Sequence, residues 1–271
     1  MSDQNKVPAA LLFQRAWGLY KHAFARLFPT AFATFALASL YRYTIMTQLV
    51  SSSSMQKTAT IAIMIASQLV FFCIIALSQN AQLFTLQERY MNQQTSFRQI
   101  IKQSATRFIP MLALILLLLI GIQVVAFGIG WSISKILPVA MFFVPLLIIL
   151  ISTSFVLFAP CILLFEKQSI IKSIRLSIQR SRSIWRSNFF LLLPPLLAYM
   201  LVSSLLANIN ISLGSISAAG FGIEEVMTIF TDALIFPFLM TLIFTQYIHY
   251  LPKATPTDNQ DSSQNKEEDK S

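Results

Sequence analysis

Charge is scarce in this chain. Only 11% of its 271 residues are Asp, Glu, Lys or Arg, where a water-soluble domain carries about 25%. With 55% hydrophobic residues and a mean hydropathy of +0.66, it lacks the polar surface to face water on all sides and falls in the membrane class. Carboxylates are scarcer than cations, 11 against 20, which leaves a net charge of +9. No paired carboxylates, no phosphate-binding loop of the Walker kind and no Ser-His-Asp set stand out, so a non-enzymatic protein is expected. Cysteine is limited to Cys73 and Cys161, both inside apolar runs and without a CxxC spacing. They read as free thiols acting as small hydrophobes. The two histidines, His22 and His249, stand far apart with no ligand-spaced neighbours, so neither a metal nor a cofactor is expected. Residues 1–26 lack the short basic region, apolar core and small-residue cleavage site of a signal peptide, so the first apolar run is expected to persist as a membrane helix.

What the chain has in abundance is long apolar runs. Six are long enough to span a bilayer: Pro29–Val50, Thr58–Ser78, Met111–Gly130, Ile136–Phe165, Phe189–Ala207 and Ile223–Tyr250. The expected fold is therefore an all-α polytopic membrane protein. Its six transmembrane helices are expected to form three hairpins, each preceded by a basic amphipathic interfacial helix. Residues 1–250 form a single integral membrane domain. The acidic-leaning tail 251–271 is expected to be disordered on composition.

The cations sit between the apolar runs. From Ala9 to Phe28, Leu12, Ala16, Leu19, Tyr20, Ala23, Phe24 and Leu27 share one helical face, opposite Arg15, Lys21, His22 and Arg26. Such a helix suits the interface plane. In a second segment Phe97, Ile100, Ile101, Ser104, Ala105 and Phe108 share a face flanked by Arg98 and Lys102. In a third, over 168–190, Ile170, Ile174, Ile178 and Trp185 form a stripe beside Lys172, Arg175, Arg180, Arg182 and Arg186. Lys21, Arg26 and Pro29 recur 81 residues later as Lys102, Arg107 and Pro110, and Arg186 continues the series 79 residues beyond Arg107. Three repeats are expected, over 9–80, 90–161 and 168–250. An even number of spans per unit keeps the units in one orientation. All these cations fall on one side of the predicted topology, against Arg42, Lys57 and Lys135 on the other. The positive-inside rule then places both termini in the cytoplasm. Anionic headgroups of the cytoplasmic leaflet are the expected partner, with a membrane-protein partner also open and nucleic acid not expected.

The stretch Phe158–Phe189 carries a motif. It contains Ala159-Pro160, Glu166-Lys167 and Ser181-x-x-Ile184-x-Arg186-Ser187-Asn188-Phe189. In these features it resembles a bacterial family of six-span membrane proteins, the membrane domain attached to some glycerophosphoryl diester phosphodiesterases, which has stand-alone inner-membrane relatives. The spacing from Glu166 to Ser181 is about one helical turn longer than in that family, and Ser177 fits the upstream register. The resemblance implies a six-span protein of the bacterial inner membrane. It does not imply the phosphodiesterase activity, because too few residues lie outside the spans to build the catalytic barrel.

Two function classes remain. One is a protein that organises lipid or scaffolds a partner, with Lys172, Arg175, Arg180, Arg182, Arg186, Lys102, Arg107, Lys21 and Arg26 at headgroups. The other is a small-solute or ion transporter or channel. It would use Asp232, the one acid well inside a span, with Arg42 as a candidate partner and Pro138, Pro145, Pro194, Pro195 and Pro237 as helix breaks.

Overall fold

The computed structural model describes residues 9–51, 57–93, 95–135, 140–212 and 223–250. The described residues form only helices: α1 (Ala9–Ser51), α2 (Lys57–Tyr90), α3 (Phe97–Thr106), α4 (Phe108–Ser134), α5 (Ala140–Val156), α6 (Ala159–Phe165), α7 (Ile170–Ser181), α8 (Trp185–Ser212) and α9 (Ile223–Tyr250). Six segments are long and apolar enough to cross a membrane: Ala9–Ile45, Ile61–Tyr90, Phe108–Ile133, Val144–Phe165, Trp185–Leu206 and Glu225–Tyr250. The all-α, six-span expectation holds. α1 packs on α2 and α9, α4 on α5, and α8 on α5 and α9. The tail 251–271 and residues 52–56, 136–139 (Pro138 among them) and 213–222 lie outside the described residues.

The first interfacial helix is not a separate element. α1 runs unbroken through Pro29, and its 43 residues measure about 65 Å, against about 30 Å for a bilayer core. Proline removes one rung of the helix ladder. Beside it the Thr30 hydroxyl donates to the Arg26 carbonyl at 2.7 Å, and Thr34 repeats the bond to Thr30. The apolar face of this segment turns towards protein. Leu12, Ala16, Tyr20, Ala23, Leu27, Ala31 and Ala38 are buried, and the alanines let neighbouring helices approach closely. Aromatic rings lock α1 to α9: Phe13, Trp17 and Tyr20 meet Phe238, while Phe28 and Phe32 meet Phe230.

Two further boundaries differ from the sequence reading. α2 continues to Tyr90 rather than stopping at Ser78, because its extra turns bury Gln79, Asn80, Gln82, Thr85 and Glu88 against other helices. Hydropathy reads those polar turns as the end of a span. α8 continues through Asn208 and Asn210 to Ser212, and through Pro194 and Pro195.

Large exposed apolar side chains, among them Leu37, Leu40, Ile61, Ile65, Val124, Leu201 and Leu205, suit contact with acyl chains. The tightly packed core lies elsewhere, where α6 meets α2, α4 and α9. It contains Leu83, Leu86, Phe158, Ile162, Leu163 and Phe244.

Candidate functional site

The fourth span is broken, and the break organises the basic end of the bundle. α5 stops at Val156 and α6 restarts at Ala159 with Pro160 in its first turn. Proline has no N–H to continue the ladder and favours a helix start. Carbonyls and an N–H are thereby left without their usual partners, which is costly away from water. Side chains from two other helices take them up. The Ser177 hydroxyl of α7 accepts from the Phe158 N–H and donates to the Phe155 carbonyl, both at 3.1 Å. Asn188 of α8 donates to the Ser154 carbonyl at 2.8 Å and accepts from Gln246 of α9 at 2.5 Å. Ser177, Asn188 and Gln246 are wholly buried.

Two ion pairs flank this keystone. Glu166, just beyond α6, receives both guanidinium nitrogens of Arg180 and the Tyr247 hydroxyl, the last at 3.0 Å. The bond to Glu166 holds the Arg180 guanidinium above its ordinary pKa. Glu88, only 4% exposed, accepts from Arg26 Nη1 at 2.9 Å on each oxygen, and from the Thr95 N–H at 2.8 Å. Asn80 of α2 reaches the Ser104 carbonyl of α3 at 3.1 Å. These bonds explain the motif residues physically. Pro160 makes the break, Glu166 anchors α7, and Asn188 fills the break from α8. Ser177, the residue at the departing spacing, plugs it from α7.

No protein-family model, curated protein or solved structure matches the chain.

Arg26 and Arg180 were both expected at headgroups. In the structure they are committed to carboxylates inside the protein. α7 packs through a face that the sequence reading did not single out. The face it buries is Ser173, Ser177 and Ser181, small side chains that permit close packing. Of the isoleucine stripe, Ile170 and Ile174 pack against the core, whereas Ile178 is 43% exposed and its neighbour Ile171 69%. Together with Ile174, Arg175 and Leu117 of α4, Ile171 and Ile178 line a shallow groove. Lys172, Arg175, Arg182 and Arg186 point outward, as does Lys102 on α3. Arg186 lies over the Trp185 ring at 5.7 Å, and Lys21 lies 6.0 Å from the Trp17 ring. Arg107 is half-buried.

Asp232 is half-buried in α9. It lies beside Tyr199 of α8. Arg42 is exposed, and no ion pair joins it to Asp232 among the described residues. No group of three metal-ligating side chains occurs among the described residues.

The polar turns of α2 and the serine face of α7 escaped sequence reading. Their one signal is small or amide side chains recurring every three or four residues, which resembles a solvated face.

Proposed function

We propose that the chain is a non-enzymatic protein of the bacterial inner membrane. It organises anionic lipid, or scaffolds a membrane partner, through a basic surface on the cytoplasmic side where both termini lie. The observation that carries this is the outward face of α7, where exposed Ile171 and Ile178 stand beside exposed Lys172, Arg175 and Arg182. Isoleucine suits acyl chains and the cations suit headgroups, and each cation near an anionic leaflet contributes about 1 kcal/mol. Arg180 sits on the other side of the helix, holding α7 to Glu166, so the outer face is displayed in a fixed orientation. The test is lipid selection by the full-length protein in mixed phosphatidylcholine and phosphatidylglycerol vesicles. Enrichment of phosphatidylglycerol around the protein should weaken with salt, and should fall when Lys172, Arg175 and Arg182 are all changed to Gln. Enrichment that ignores both salt and the triple substitution would refute the proposal.

A second reading, transport, keeps one observation in its favour: Asp232 lies half-buried within a span, beside Tyr199. Asp232→Asn should abolish a measurable flux if that reading holds, and unchanged phenotype and stability would remove its main support.

A further inference from the structure

A polar cavity of about 400 Å³ opens among the end of α2, the chain before α3, α3 itself and the end of α6. Arg107 and Lys167 both line it. Neither has a carboxylate partner among the described residues, because the nearby acids are already used. Glu88, in the cavity wall, is neutralised by Arg26 and the Thr95 N–H, and Glu166, next to Lys167 in sequence, is held by Arg180. The other polar lining is neutral, and the Gln87 and Gln103 amides are able to donate hydrogen bonds, while the Thr106 hydroxyl donates to the Gln103 carbonyl at 2.7 Å. One wall is apolar, formed by Phe84 and Leu164. Lys167 is held at φ 53°, in left-handed backbone that side chains other than glycine seldom adopt.

We infer that this cavity is a binding site for a phosphoryl anion, with Arg107 and Lys167 as its charge partners. A guanidinium presents a planar fork that matches phosphate oxygens, and an ammonium adds a point charge. The neutral amides can complete the oxygen shell. The space exceeds that of a bare phosphate, and the Phe84 and Leu164 wall suits the carbon skeleton esterified to it. The site thus takes a phosphate ester, from a phospholipid headgroup or from solution. This deepens the lipid reading above and rests on it only for the source of the ligand. It is distinct from the α7 outer face, whose cations do not line the cavity.

The two sites separate by mutation. Full-length protein is reconstituted in mixed phosphatidylcholine and phosphatidylglycerol vesicles, extracted gently and weighed by native mass spectrometry. Binding of inorganic phosphate to the same protein is followed by phosphorus NMR. We expect one retained phosphatidylglycerol, or saturable phosphate binding, that weakens about tenfold or more in the Arg107→Gln, Lys167→Gln double variant. It should persist when Lys172, Arg175 and Arg182 are changed to Gln. Retained lipid identifies a headgroup site, and phosphate binding without retained lipid identifies a soluble ester; both support the inference. Thr106→Glu, at an exposed position, repeats the test by placing a negative charge at the rim, and Arg107→Lys should restore part of the loss. Lipid and phosphate binding that are unchanged in the Thr106→Glu protein and in a folded double variant would overturn it. Loss of lipid enrichment confined to the α7 variant would do the same, while leaving the lipid-organising function standing.

Discussion

Asn188→Ala tests the keystone directly. Asn188 is wholly buried and makes two side-chain bonds, one to the Ser154 carbonyl and one from Gln246. Removing it strands both groups. Interhelical hydrogen bonds in membrane proteins average about 0.6 kcal/mol, because the separated helices find other partners. Two such bonds give a floor of roughly 1 kcal/mol. Here the stranded groups have poor alternatives. The Phe158 N–H, which would bond the Ser154 carbonyl in an unbroken helix, is taken by Ser177. A buried group left unpaired costs about 1–3 kcal/mol, so the expected loss is about 2 kcal/mol. Gln246→Leu provides the internal comparison. It removes the same Asn188 bond, but it also removes Gln246 Oε1, a buried acceptor without a partner, and so should cost less than Asn188→Ala. Reversible unfolding in mixed micelles, with the double variant completing a cycle, reads both values. A cost below about 0.5 kcal/mol for Asn188→Ala, or a larger cost for Gln246→Leu, would refute the assignment of Asn188 as the residue that closes the break.

Other substitutions have expected outcomes as well. Ser177→Ala should destabilise by about 1–3 kcal/mol by stranding the Phe158 N–H and Phe155 carbonyl. Ser173→Ala and Ser181→Ala should be neutral or mildly stabilising in the same assay, since both hydroxyls are buried without partners. Arg26→Leu leaves Glu88 charged and buried, and should cost about 3 kcal/mol or more; adding Glu88→Gln should recover part of that. Gly130→Ala should cost about 1–3 kcal/mol, because a Cβ there would lie 2.6 Å from the rigid Pro145 ring; thermal unfolding of Gly121→Ala and Gly128→Ala, which meet nothing within 4 Å, should show no such loss.

The sequence by itself determined the class of fold and the number of candidate spans. Both follow from local quantities: an apolar run of sufficient length and the scarcity of charge between its ends. It also marked the stretch around Ala159-Pro160, Glu166 and Asn188 as special, without saying what those residues do. α1 buries Leu12, Ala16, Tyr20, Ala23 and Leu27 of the apolar face read from its sequence, but which way α2 and α7 turn was decided only by tertiary structure. In water, apolar residues identify the buried face. Next to lipid that rule loses its force, because acyl chains accept isoleucine as readily as a protein core does. α7 therefore buries its serines and shows Ile171 and Ile178, and α2 buries Asn80, Gln82 and Glu88 in turns that look solvated in the sequence. The partners of the charges were equally hidden. Arg26 and Arg107 occupy matching positions in the apparent repeat, yet one meets Glu88 and the other faces a cavity. Glu88 lies 62 residues from Arg26, so only the packing of α2 against α1 could assign the pair.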